Sequence, residues 1–281
     1  MSSCFSQLMK VPLLGRATTE VLEKLGICSI NDLSLLSEED CVILARKLKS
    51  LSDGLAENGY LKARLIMACR YAKAIKRGKP LIYGYNPSVD NLAKHYKEKK
   101  LVFFDLEYDP AKPLIFVIGV MSANGKVTQF FIESEKEEKV ALIKLEDIIS
   151  NRLLVCYAGK SADIPTLRKC YRKHGLLMPR IQLVDLFYDI LFTQKLKTQV
   201  IYLPLTHLSE KTVANYLGYK PPENLEIKDG LLALIYFYNY IKERDTKRKE
   251  KIKEQLLLYN RCDLERAKFI LEKIFELFQV K

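Results

Sequence analysis

LVFFDLE, residues Leu101 to Glu107, sets two carboxylates into a run that otherwise reads as a buried β-strand. Side chains of a strand alternate between its faces, so Asp105 and Glu107 project from the same one. Leu101, Val102, Phe103, Phe104 and Leu106 surround them. Acids buried among such residues need a positive partner, and divalent cations held by oxygen ligands are the usual answer where no basic side chain is near. An exposed alternation with the acids in water is the competing reading, but it leaves the apolar residues on both sides of each acid unexplained.

Further along, RLLVCY at 152–157 reads as a second short apolar strand, and AGKSADIPTL after it turns into a helix. Asp163 stands at that strand-to-helix junction, followed by Pro165, a residue suited to a first helical turn. Metal ligand and helix N-cap are both open to it. Near the carboxyl end, Tyr259 and Asp263 in LLLYNRCD are four apart on a long amphipathic run, which puts them on one helix face.

The order D-x-E, then D, then Y-x-x-x-D resembles the DEDD proofreading-exonuclease superfamily of the ribonuclease H-like fold, in its tyrosine-bearing branch. Asp105 and Glu107 match its first motif, Asp163 its second, and Tyr259 with Asp263 its third. The succession FFDLEYDPAKPLIFVIGV, YAGKSADIPTL, VDLF, LSEKTVANYLGY, IKDG and LLLYNRCDLERA is similar, more narrowly, to the domain that accompanies predicted RecB-type nucleases in archaea and bacteria. The resemblance covers about residues 99–281. Where that family usually has Asn and an aromatic residue in its second motif, this chain has Ala158 and Ala162. What the resemblance implies is an α/β, ribonuclease H-like mixed sheet flanked by helices, acting as a 3'-5' exonuclease on DNA or RNA.

Two Mg2+ or Mn2+ ions about 4 Å apart would suit such chemistry, clamping the attacking and leaving oxygens of a phosphodiester. Asp105, Glu107, Asp163 and Asp263 are the expected ligands, and Tyr259 the residue that orients the attacking water. His95, His174 and His207 lie in unrelated segments and no C-x-x-C occurs, so a zinc site is not expected. Asp185, in QLVDLFYDI, is read as a helix N-cap or as outer support for the metal site. Lys211 falls where related domains often carry a lysine, which makes it a candidate phosphate contact beside its ordinary reading as a solvated side chain.

Net charge is +12, and 48% of the 281 residues are hydrophobic. The basic excess suits a polyanionic partner, although an acidic membrane surface or simple solubility fits it too. Basic clusters stand at 94–100, 168–175 and 242–253, and the second follows Asp163 directly. Seven scattered cysteines, Cys4 among them, read as small buried hydrophobes in a reducing compartment. With neither a signal-like start nor a long apolar stretch, the expectation is a cytoplasmic protein with nucleic acid as partner and no membrane.

Residues 1–80 read as a separate small all-α domain. PLLG at 12–15 and the following LGICSINDL resemble a helix-hairpin-helix element, with Gly15 as the hairpin glycine where the pattern often has two. Such a hairpin holds a phosphate through backbone N–H groups without reading sequence; a purely structural helical cap is the other reading. Residues 81–98 carry the Gly, Pro and Asn content of a connector. Over 99–281 the pattern predicts an antiparallel meander of strands at 101–107, 114–121 and 126–133, joined by PAKP and SANG turns. Helix 135–149, strand 152–157, helix 164–175, strand 181–185 and a final helix at 247–277 follow. Two other functions stay open: a non-catalytic nucleic-acid-binding module, and a structure-selective endonuclease.

Overall fold

The computed structural model describes residues 7–51, 58–193 and 195–279, and Cys4 lies outside them. Contacts divide the chain into two units, Met1–Pro87 with Phe187–Thr212, and Ser88–Leu186 with Val213–Lys281.

The first unit is built on helices α1 (Arg16–Lys24), α2 (Ile30–Leu35), α3 (Glu38–Leu51) and α4 (Asn58–Arg77). Ser29 and Asp32 form a reciprocal capping box that starts α2. Gly15 is the N-cap of α1 in extended conformation, and the left-handed position in the preceding turn belongs to Leu13 (φ 76°). Strand β1 (Leu81–Ile82) pairs antiparallel with β7 (Ile201–Tyr202), which ties residues 187–212 to this unit. Sequence placed that segment in the larger domain, because a two-residue pairing across more than a hundred positions leaves no local pattern. Residues 81–98 are likewise more than a connector. Pro87 opens helix α5 (Pro87–Lys97), where the missing N–H of a first-turn proline costs nothing.

In the second unit, β2 (Leu101–Asp109) is the middle strand of five, in the order β4-β3-β2-β5-β6. Strands β3 (Leu114–Ser122) and β4 (Val127–Phe131) continue it as an antiparallel meander, while β5 (Leu153–Cys156) and β6 (Gln182–Asp185) run parallel to it. The sheet is therefore mixed. Its even face, with Val102, Phe104, Leu106, Ile118 and Val120, packs under helices α6 (Glu135–Ile149) and α7 (Asp163–Lys173). The other face meets α9 (Gly230–Lys242) and α10 (Thr246–Leu277), through Phe116, Val117, Phe237, Leu256 and Tyr259. Between Glu107 and Tyr108 the register with β3 slips past Phe116. That bulge lets successive residues Phe116 and Val117 enter the same core.

The basic cluster at 168–175 is partly turned inward. Fully buried Glu138 accepts the Ile115 amide (3.0 Å) and His174 Nε2 (2.5 Å), and pairs with Lys173. Burial alone would raise the Glu138 carboxyl; these partners outweigh it and hold the carboxyl below its usual range.

Candidate metal centre

Asp105, at the centre of β2, pairs in register with Gly119 of β3, and Glu107 with Val117, so both acids face the α10 side of the sheet. On α10, buried Tyr259 and Asp263 are one turn apart and reach the same place. Carboxylate oxygens of Asp105, Glu107 and Asp263 lie within 4.8 Å of one another. With Tyr259, Tyr108, Pro110, Leu231 and Leu234 they line a cleft of about 330 Å³.

Burial pushes the Asp105 carboxyl up to about 7, against the opposing pull of the Asn260 amide and the Arg266 charge. Asp163, the first residue of α7, stands outside the group of three. Burial, then the charges of Asp105 and Asp185, raise its carboxyl well above the ordinary value. It does not cap the helix; Ala162 holds the N-cap position and makes no side-chain capping bond. Gly159 is needed beside it, since a Cβ there would fall 2.8 Å from the Asp163 carboxylate.

Asp185 supports the loop before Asp163. Fully buried at the end of β6, it accepts the amides of Ala158 and Lys160, both at 2.9 Å, and so fastens the loop that leads to Asp163. A π-helical turn, Leu186–Leu191, follows it directly. Lys211, on α8 (Glu210–Tyr216), and Gly15 both belong to the first unit. His174 packs on Glu138 and His207 is exposed.

Sequence reading passed over Arg266, Asn260 and Tyr108, with Gln129 and Gly119 behind Asn260. Arg266, one turn beyond Asp263 on the same helix, is buried and pairs with its carboxylate. Asn260 donates to Asp105 Oδ2 at 2.7 Å and accepts from Gln129 at 2.8 Å. Tyr108 lines the cleft, and its hydroxyl is raised by burial and by the Asp163 charge. Two signals were available: a polar Asn260 and a basic Arg266 at core-facing positions of an otherwise apolar helix stripe, and Gly119 inside a strand, which marks a close approach.

The donor set is all oxygen, without histidine or cysteine, and it converges on a cleft lined in part by Pro110, Leu231 and Leu234. Those features fit a hard divalent cation. A carboxylate group of this kind, on the middle strand of a mixed sheet and a helix crossing it, could hold a metal ion in an α/β fold. The chain belongs to the RNase H superfamily: its family model RNase_H_2 matches residues 102–275. No curated protein and no solved structure matches it. Membership brings nuclease-type chemistry and a nucleic-acid substrate. Among the described residues no helix is long and apolar enough to cross a membrane.

Proposed function

We propose that the chain is a metal-dependent 3'-5' exonuclease hydrolysing DNA or RNA, with Asp105, Glu107, Asp163 and Asp263 as ligands of two Mg2+ or Mn2+ ions. The observation that carries this reading is the grouping of three carboxylates within 4.8 Å beside a cleft on the α10 face. Bound there, such ions supply the activated water and neutralise charge on the attacking and leaving oxygens. Asp105 and Glu107 would hold them from the sheet and Asp263 from α10, with Asp163 approaching from α7. Tyr259 is held by the core around Phe116 and Phe237 while lining the cleft, which suits it to orient water rather than to remove its proton. Asp185 acts through the loop it fastens. Lys211 and the Gly15 turn are the candidate phosphate contacts of the first unit, and the polarity of cleavage follows from the motif resemblance.

Incubation of 5'-labelled and 3'-labelled single-stranded and duplex DNA and RNA with Mg2+, Mn2+ or chelator tests the proposal. Stepwise loss from the 3' end is expected, abolished by EDTA and by Asp105→Asn, Glu107→Asn, Asp163→Asn or Asp263→Asn. Asparagine is preferred to alanine at Asp263, because truncation would strand buried Arg266, a loss of about 3–5 kcal/mol. Undiminished cleavage in chelator would sink the metal mechanism, and internal fragments would make the enzyme an endonuclease. The pairing of Arg266 with Asp263 favours a second reading, a nucleic-acid-binding module whose acids are neutralised internally. Absence of both cleavage and Mn2+ binding is its signature.

A further inference from the structure

We propose that Asn260 is a positioning residue, whose side-chain amide holds the Asp105 carboxylate for a divalent cation while Gln129 and Gly119 fix which way that amide faces. The inference rests on reading the acidic cleft as a metal centre, and it adds a support that runs across three strands and a helix.

Orientation of the amide follows from one backbone carbonyl. Gln129 Nε2 lies 2.8 Å from the Leu257 carbonyl oxygen, which can only accept, so Gln129 must present its nitrogen there. The same nitrogen lies 2.8 Å from Asn260, which must then present its oxygen. Asn260 is left with its nitrogen toward Asp105, 2.7 Å from Oδ2 and 3.5 Å from the main-chain oxygen. Flipping Asn260 alone would oppose nitrogen to nitrogen at Gln129 and oxygen to oxygen at Asp105. Flipping Gln129 as well would set oxygen against the Leu257 carbonyl. Only one arrangement satisfies every partner.

Space for this arrangement comes from the sheet. Asp105, Gly119 and Gln129 are paired in register on three adjacent strands. A Cβ at Gly119 would stand 2.1 Å from Asn260 Oδ1, so any side chain there displaces the amide. Asn260 itself is fully buried and sits between Tyr259 and the turn that carries Asp263. Its donated bond leaves the carboxylate with free lone pairs while fixing its rotation, the role that hydrogen-bonded neighbours of metal-ligating carboxylates perform.

The test is Mn2+ affinity by calorimetry on the full chain, with melting temperature in chelator and single-turnover rate beside it, for wild type, Asn260→Leu and Gln129→Leu. Leucine keeps most of the volume of either amide and removes its donors. Mn2+ affinity should fall about 10- to 100-fold in Asn260→Leu and by less in Gln129→Leu, where the Asn260 amide persists but loses its directing partner. Excess Mn2+ should recover much of the rate. Wild-type Mn2+ affinity in folded Asn260→Leu overturns the proposal. Should that variant fail to fold, half-buried Gln129→Leu decides alone, and unchanged affinity there overturns it equally. A wild-type chain that binds no Mn2+ ends the metal-centre reading and this inference with it, whereas wild-type binding with unaltered variants removes only the role of Asn260.

Discussion

Ala158 is a single residue whose conformation and identity disagree. Its φ of 58° lies in the left-handed region, which costs an ordinary L-residue about 1–2 kcal/mol and asparagine less. The loop is held there by Asp185, which takes the Ala158 amide. Asparagine at this place would suit the backbone better than alanine does. Ala158→Asn should stabilise the protein by about 1 kcal/mol, seen as a higher denaturant midpoint with an unchanged slope. An unmoved midpoint would show that the loop accommodates alanine without strain. Asp105 supplies a prediction of pH dependence. Folded, its carboxyl keeps the proton up to about 7 because it is buried; unfolded, it releases the proton near ~3.9. The folded state thus binds more protons across that window, and in chelator this group's stabilising contribution is full below it and lost as pH rises to about 7. Melting temperature against pH should fall more steeply for wild type than for Asp105→Asn, and Mn2+ should reverse the fall at high pH by binding the ionised cluster. Parallel curves for the two proteins would remove Asp105 as the buried acid.

Elements were legible wherever the information is local. The meander β2-β3-β4, strands β5 and β6, and helices α6, α7 and α10 fall within a few residues of the pattern in the sequence. Apolar periodicity and the PAKP and SANG turns carry that information, with Gly125 (φ 85°) completing the second turn. Helix α5 was hidden because Pro87 and Asn86 look like connector residues, although proline is also a good first residue of a helix. The acids of the centre were legible for a different reason, their cost in an apolar strand. Their supports were less so. Asn260, Arg266 and Gly119 are marked in sequence only as breaks in an apolar pattern; what they and Gln129 support appears once three strands are in register and α10 lies across them. The bulge after Glu107 is equally silent in sequence, since it is a property of the pairing and not of either strand.

At the scale of the molecule, the net charge of +12 does not translate directly into a binding face. Lys173 and His174, part of the basic cluster nearest Asp163 in sequence, spend their donors on Glu138 inside the second unit. The division into units bears equally on how the amino-terminal helices can be studied. Residues 187–212 belong with them: Tyr71 donates to the Leu191 carbonyl at 2.9 Å, Gln199 reaches Tyr71 and Leu191, and Arg70 reaches the Tyr202 hydroxyl at 3.3 Å. Val200, Ile201, Tyr202 and Leu203 are all buried. Deleting residues 1–80 would therefore do more than remove a phosphate contact. It would leave a covered segment of the remaining chain without its partners, exposing apolar surface at about 25 cal/mol per Å². The truncated chain should melt well below the full one and bind a hydrophobic dye, so that weaker nucleic-acid binding by it would say little about the Gly15 turn. That turn is better tested in the intact chain, by reversing the charge of exposed Arg16 at the start of α1 and reading the salt dependence of binding, which flattens when a phosphate contact is lost. A truncate that melts like the full chain, with no gain in dye binding, would show instead that residues 187–212 hold their structure without the amino-terminal helices.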